Sequence, residues 1–139
     1  MEQGLSRRSF LARLSATVGV LLPSLSRLAA ARRAPGPHPT PRPGVTSEKV
    51  LTKEQLAETP KLIELFDQVR EIPQIVDGIR CQCGCADLPG NYSLLSCYEG
   101  DAMARHCPIC QGEARMAYRL HKDRKSLDEI RASIDSRYG

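Results

Sequence analysis

From residue 52 to the C-terminus the apolar positions recur at helical intervals. Thr52-Lys53-Glu54-Gln55 has the order of a capping box and predicts a short helix. Thr59-Pro60 predicts a second start, with Thr as N-cap and Pro in the first turn. Leu62, Leu65, Phe66 and Val69 then fall three and four apart on one face. Pro73 ends or kinks that helix. Ile72, Ile75, Val76 and Ile79 form a second apolar face, broken at Asp77-Gly78. Pro108 suits the first turn of another helix with Cys107 as its N-cap. Ile109, Met116 and Leu120 predict its buried stripe, Ala114 and Ala117 its close-packing positions, and Asp123-Arg124-Lys125 its end. Ser126-Leu127-Asp128-Glu129 is a capping box, and Leu127, Ile130, Ile134 and Tyr138 give the last helix its buried face. No stretch alternates long enough for a strand, and no internal repeat is visible. The expected fold class is mostly α, a small cysteine-rich helical domain with a cysteine-bearing loop.

The first 46 residues read differently. Arg7, Arg8 and Arg13 precede an apolar run from Leu14 to Leu25, and Ala29-Ala30-Ala31 offers a small-residue cleavage pattern. Ser6-Arg7-Arg8-Ser9-Phe10-Leu11 resembles the bacterial twin-arginine export signal, with Ala12 where Lys is common. Pro23 interrupts the run, which is shorter than the about 20 apolar residues a bilayer span needs. Pro35, Pro37, Pro39, Pro41 and Pro43 then alternate with other residues, favouring an extended, semi-rigid spacer in which His38 is solvated. The expected organisation is a signal peptide over 1–31, a Pro-rich linker over 32–46 and a cysteine-rich helical domain over 47–139.

Charge follows the same division. Residues 1–44 hold seven Arg and one Glu, whereas residues 45–139 hold 13 Lys and Arg against 15 Asp and Glu. The basic balance thus belongs to the signal and linker. A slightly acidic domain lacks the electrostatic footprint of a nucleic-acid binder. With no Trp and few aromatics, its core is aliphatic and modest, a setting in which cross-links or metals commonly add stability.

All six cysteines lie between residues 81 and 110: Cys81, Cys83 and Cys85 in a C-x-C-x-C arm, Cys97 alone, and Cys107 and Cys110 in a C-x-x-C arm. Thiols at i and i+2 seldom have relaxed disulfide geometry, but a loop can aim them at one ion, helped here by Gly84. Cys107 and Cys110 share one side of a helical turn, so two arms together could complete an all-sulfur site. Zinc or copper(I) are the leading ions, with an iron–sulfur cluster behind them. His106, Met103 and Met116 are weighed as further ligands, while His121 lies too far along its helix. An even cysteine count in an exported chain also permits three structural disulfides. A third reading is thiol–disulfide exchange: Cys107 at a helix N-terminus would be a stabilised thiolate, and Cys107-Pro108-Ile109-Cys110 resembles the active-site loop of thioredoxin-like oxidoreductases, though no strand precedes it.

Ile72-Pro73 through Cys85, Ser93-Leu94-Leu95-Ser96-Cys97, Cys107-Pro108-Ile109-Cys110 and Lys125-Ser126-Leu127-Asp128-Glu129-Ile130, in that order, resemble the bacterial PCYCGC-motif family of exported proteins and lipoproteins. The resemblance covers residues 59–139. Arg80 stands in place of the motif's Pro and Gln82 in place of its Tyr, Asn91 lies where relatives carry His, and a twin-arginine-like signal replaces the lipobox. The family implies an envelope location and a cysteine unit that acts together, but no activity.

These readings converge on a non-catalytic exported protein that binds a soft metal ion through Cys81, Cys83, Cys85, Cys97, Cys107 and Cys110 and handles metal in the cell envelope. Its expected partners are the twin-arginine translocase during export and the metal ion, with no nucleic acid and no stable transmembrane span. The expected location is the periplasm or the outer face of the cytoplasmic membrane.

Overall fold

The computed structural model describes residues 36–139. The predicted signal over 1–31 and the first linker residues lie outside them. Among the described residues there are four α-helices, no strand, and four short 3₁₀ segments. Helix α1 (Ile63–Glu71) follows a 3₁₀ turn at Pro60–Leu62, and α2 (Pro73–Asp77) follows directly. Three further 3₁₀ turns, Cys85–Asp87, Leu94–Tyr98 and Met103–Arg105, lead into α3 (Pro108–Lys122), and α4 (Leu127–Tyr138) closes the chain. No helix among the described residues is long and apolar enough to cross a membrane.

The sequence pattern explains most of these bounds. Pro73 cannot donate an N–H to α1, and Ile72 before it, held out of the helical region (φ −129°, ψ 49°), ends one helix and stands at the N-cap of the next. Leu62, Leu65, Phe66 and Val69 are all buried, as their spacing predicts. Phe66 meets the buried ring of Tyr98 edge-on, centroids 4.8 Å apart, a favoured aromatic arrangement. Ser126 forms its capping box with Glu129 in both directions, at 2.8 and 3.3 Å. Ile130 and Ile134 then face α3 and are buried. Gly112 lets α4 approach α3 closely, because a Cβ there would strike the ring and hydroxyl of Tyr138.

Three expectations are corrected. Thr52 and Gln55 make both capping-box bonds, at 2.8 and 3.5 Å, but residues 53–58 stay in turns instead of a helix. The buried Leu56 has no apolar neighbour one turn away, and Pro60 holds Thr59 out of the helical region. On α3 the buried stripe is Cys110, Glu113, Ala114 and Ala117. Ile109, placed inward from the sequence, is 36 % exposed, because the helix meets the core along its small residues.

The third concerns the Pro-rich segment. Over residues 36–46 it lies against the domain, and His38 is part-buried and bonded, not solvated. His38 Nδ1 accepts the Arg80 N–H at 3.0 Å, which puts its proton on Nε2, 3.1 Å from Asp135. Prolines lack N–H groups, so this extended backbone has carbonyls free to accept. Arg131 donates to the Pro39 carbonyl at 2.8 Å and Tyr92 to the Thr40 carbonyl at 2.6 Å. Arg42 anchors the segment: its backbone N–H and guanidinium bond the Asp77 carboxylate at 2.8 and 2.7 Å, and Ser93 adds a bond of 2.7 Å.

Asp77 is fully buried. Burial pushes its carboxyl upward, but the bonds from Arg42 and Ser93 together outweigh this and hold it below the usual range. A depressed carboxyl stabilises the fold above its unfolded pKa of about 4, and that contribution is lost as pH falls through the lower folded value. Arg42→Ala leaves the buried carboxylate without its cation and is expected to cost about 2 kcal/mol at pH 7 in urea unfolding. The gap from the unmutated protein should narrow below pH 4; a pH-independent or negligible gap would refute this role.

Candidate metal centre

Each sulfur is brought into place by an identifiable local feature. The chain leaves α2 through buried Ile79, whose carbonyl accepts the Leu94 N–H at 2.7 Å. On either side of Cys81 the backbone is held: Arg80 N–H by His38, and Gln82 N–H by Glu113 Oε1 at 2.8 Å. The Gln82 side chain also donates to Asp135 Oδ1 at 2.7 Å. Gly84 adopts φ +91°, a left-handed conformation that turns the loop and returns Cys85 toward the interior. Asn91 then donates to the Cys85 carbonyl at 3.0 Å. From α3, Cys107 caps the N-terminus and its Sγ accepts the Cys110 N–H at 3.5 Å. Cys110 is thereby turned inward, and buried Tyr98 donates to its carbonyl at 2.8 Å.

The two arms meet. Cys81 Sγ lies 3.3 Å from Cys83 and 3.4 Å from Cys110, and Cys83 lies 3.6 Å from Cys110. With Cys85 they form a quartet whose sulfurs all lie within 4.8 Å of one another. The remaining two predicted ligands flank it: Cys97 Sγ touches Cys85 at 3.1 Å, and Cys107 sits beside Cys110. All six are free thiols, with no pair at disulfide distance, so the three-bridge scaffold weighed from the sequence is not the arrangement found. His106 is exposed and outside the quartet; Met103 and Met116 are half-buried against the core.

Cys81, Cys85, Cys97 and Cys110 are buried, Cys83 and Cys107 half-buried. The Cys81 thiol is pushed far up, first by its contact with Cys110 and further by burial and the Glu113 carboxyl. Cys97 and Cys110 are raised as well. For Cys97 the Cys110 contact favours the thiolate, but the Cys81 contact and burial outweigh it. For Cys110 the Cys81 contact favours the thiolate, but Cys97 and burial prevail. Without a cation these sulfurs therefore keep their protons. A thiophilic cation would displace them and gain a soft all-sulfur shell.

Glu113 is the participant that the sequence reading missed. It is fully buried, Oε2 has no hydrogen-bond partner among the described residues, and burial raises its carboxyl to about 7, offset in part by the Gln82 N–H. The signal was present: Glu113 lies three residues beyond Cys110, on the same side of α3.

No family model, no curated protein and no solved structure matches this chain.

In the reduced, metal-free protein, half-buried Cys83 and Cys107 should be alkylated first and the four buried thiols at least about tenfold more slowly, because reaction needs both exposure and thiolate. Mass mapping of a time course checks this, and uniform labelling of all six would contradict the packing. Glu113→Gln keeps an acceptor for Gln82 N–H and should unfold within about 1 kcal/mol of the unmutated protein, whereas Glu113→Ala orphans that donor and leaves a void, costing on the order of 2 kcal/mol. Equal stabilities of the two variants in chemical denaturation would remove Glu113 from this role.

Proposed function

We propose that this protein binds a soft metal ion through the thiolates of Cys81, Cys83, Cys85 and Cys110 and handles that metal in the bacterial cell envelope after twin-arginine export. The observation that carries the reading is the convergence of the C-x-C-x-C loop and α3 on one point. A regular tetrahedral site with metal–sulfur bonds of about 2.3 Å has sulfur–sulfur edges of about 3.8 Å. The Cys81–Cys83, Cys81–Cys110 and Cys83–Cys110 edges, 3.3 to 3.6 Å, need only a slight expansion to reach it, and Cys85 lies within 4.8 Å of all three. Zinc and copper(I) both accept such a shell. An iron–sulfur cluster fits less well, because its cysteines bind different irons and stand further apart than ligands of one ion. The envelope location and the likeness to the PCYCGC-motif family rest on the sequence: the paired arginines of the signal and the order of the cysteine arms.

A second reading, thiol–disulfide exchange, is favoured by one feature. Cys107 is half-exposed at the start of the fifteen-residue helix α3, with Cys110 buried behind it.

The deciding experiment purifies the chain without chelator and under reducing, anaerobic conditions, then measures bound metal and reactive thiols together. Stoichiometric zinc or copper with at least four protected thiols is expected. Cys83→Ser or Cys110→Ser should weaken competition against a chromogenic chelator by more than about tenfold, since even groups behind the ligands are worth that much. Six reactive thiols and no metal after supply of both ions would sink the metal reading. A single labile Cys107–Cys110 disulfide exchanging with a dithiol would favour the second.

A further inference from the structure

We propose that all six thiols act as one polynuclear copper(I)–thiolate centre, with sulfurs shared between ions, so that the chain holds more than one copper(I). This rests on the metal reading above and adds the two cysteines that a single ion leaves idle. One tetrahedral ion uses four thiolates. Yet Cys97 is fully buried, and its Sγ lies 3.1 Å from that of Cys85, closer than the 3.3, 3.4 and 3.6 Å contacts within the quartet. Cys85 in turn lies within 4.8 Å of Cys81, Cys83 and Cys110, so the Cys85–Cys97 pair adjoins the quartet. Cys107 bounds the other side of Cys110, whose N–H its Sγ accepts at 3.5 Å. The sulfurs thus form a continuous knot. Cys81, Cys83 and Cys110 make a nearly equilateral face, Cys85 and Cys97 an edge beside it, and Cys107 a half-exposed corner.

Such a knot suits an ion that takes few ligands and shares them. Thiolate sulfur has lone pairs enough to bridge two cations, and copper(I) is satisfied by two or three sulfurs. The set contains no imidazole, which leaves the softest donors for the softest ion. Charge points the same way. No cationic side chain hydrogen-bonds any of the six sulfurs among the described residues. Several buried thiolates around one monovalent ion would leave a large uncompensated negative charge. A further copper(I) that shares sulfurs already deprotonated removes one unit of it. Loading is proton exchange: a thiol and a copper(I) ion give a copper-bound thiolate and a released proton, with no change in oxidation state.

The test titrates the reduced full chain, without oxygen, with copper(I) held in acetonitrile, counting ions by native mass spectrometry and following the orange-red emission of solvent-shielded copper(I)–thiolate clusters. We expect roughly two to four ions per chain at saturation. Emission should rise with them. Cys97→Ser and Cys107→Ser should each lower the maximum number while retaining at least one ion. Serine caps helices well, so the second variant keeps the start of α3 intact. Saturation at one copper(I), or an unchanged maximum in both variants, would overturn the shared-sulfur centre and leave the single-ion site standing. Failure to bind any copper(I) or zinc would overturn both.

Discussion

The contact on which the centre depends is the bond from the Gln82 N–H to the buried carboxyl of Glu113. It joins two parts of the chain that local sequence forces would leave apart: a loop turned by Gly84 and a helix begun at Pro108. A loop with alternate cysteines has no intrinsic reason to face Cys110. The backbone bond at 2.8 Å fixes where the loop begins its turn, and the left-handed Gly84 fixes where it ends. Glu113 is an unusual residue for a helix face that is otherwise Cys and Ala. Its burial opposes ionisation, and its Oε1 satisfies the Gln82 N–H, a part-buried donor with no other partner among the described residues.

The small side chains of α3 follow from the same requirement. Ala114 and Ala117 let the helix sit close to the core, which brings Cys110 within van der Waals reach of the loop. Gly112 does the equivalent for α4, whose Tyr138 ring packs where a side chain would stand. The sulfurs fill space that apolar residues would otherwise occupy: four of the six belong to the same buried cluster as Leu94, Leu95 and Tyr98. Site and core are therefore one body, as expected of a small aliphatic domain with little apolar area to spare.

Much of this was legible because it depends on short-range rules. The spacing of Leu62, Leu65, Phe66 and Val69, the Pro73 break, the Ser126–Glu129 box and the Cys107 cap all act within one or two turns and appear as expected. The meeting of Cys81, Cys83 and Cys85 with Cys110 was inferred from chemistry, since clustered thiols have few other uses. What sequence could not supply were choices made at long range. Whether Thr52 begins a helix depends on whether a second apolar residue one turn from Leu56 could find a surface, and none exists. Whether Ile109 or Cys110 points inward is a rotation of about 100° about the helix axis, decided by what α3 packs against. The place of His38 and Arg42 required knowing that Asp77, Arg80 and Asp135 would present themselves to a passing extended segment.

That segment changes how rigid the sulfur loop is. Arg80 and Gln82, the residues on either side of Cys81, are held by His38 and Glu113, and Asp135 accepts from both His38 and the Gln82 side chain. The Pro-rich segment, the cysteine loop and α4 thus share one carboxylate, so displacement of any one loosens the others. A loop of free thiols would have to order itself around each arriving ion, losing conformational entropy on binding. Here that ordering is supplied by the fold, through bonds to residues that are not ligands, before any cation arrives. The sulfurs held in this way, packed at 3.1 to 3.6 Å, make a cluster compatible with a soft-metal ion.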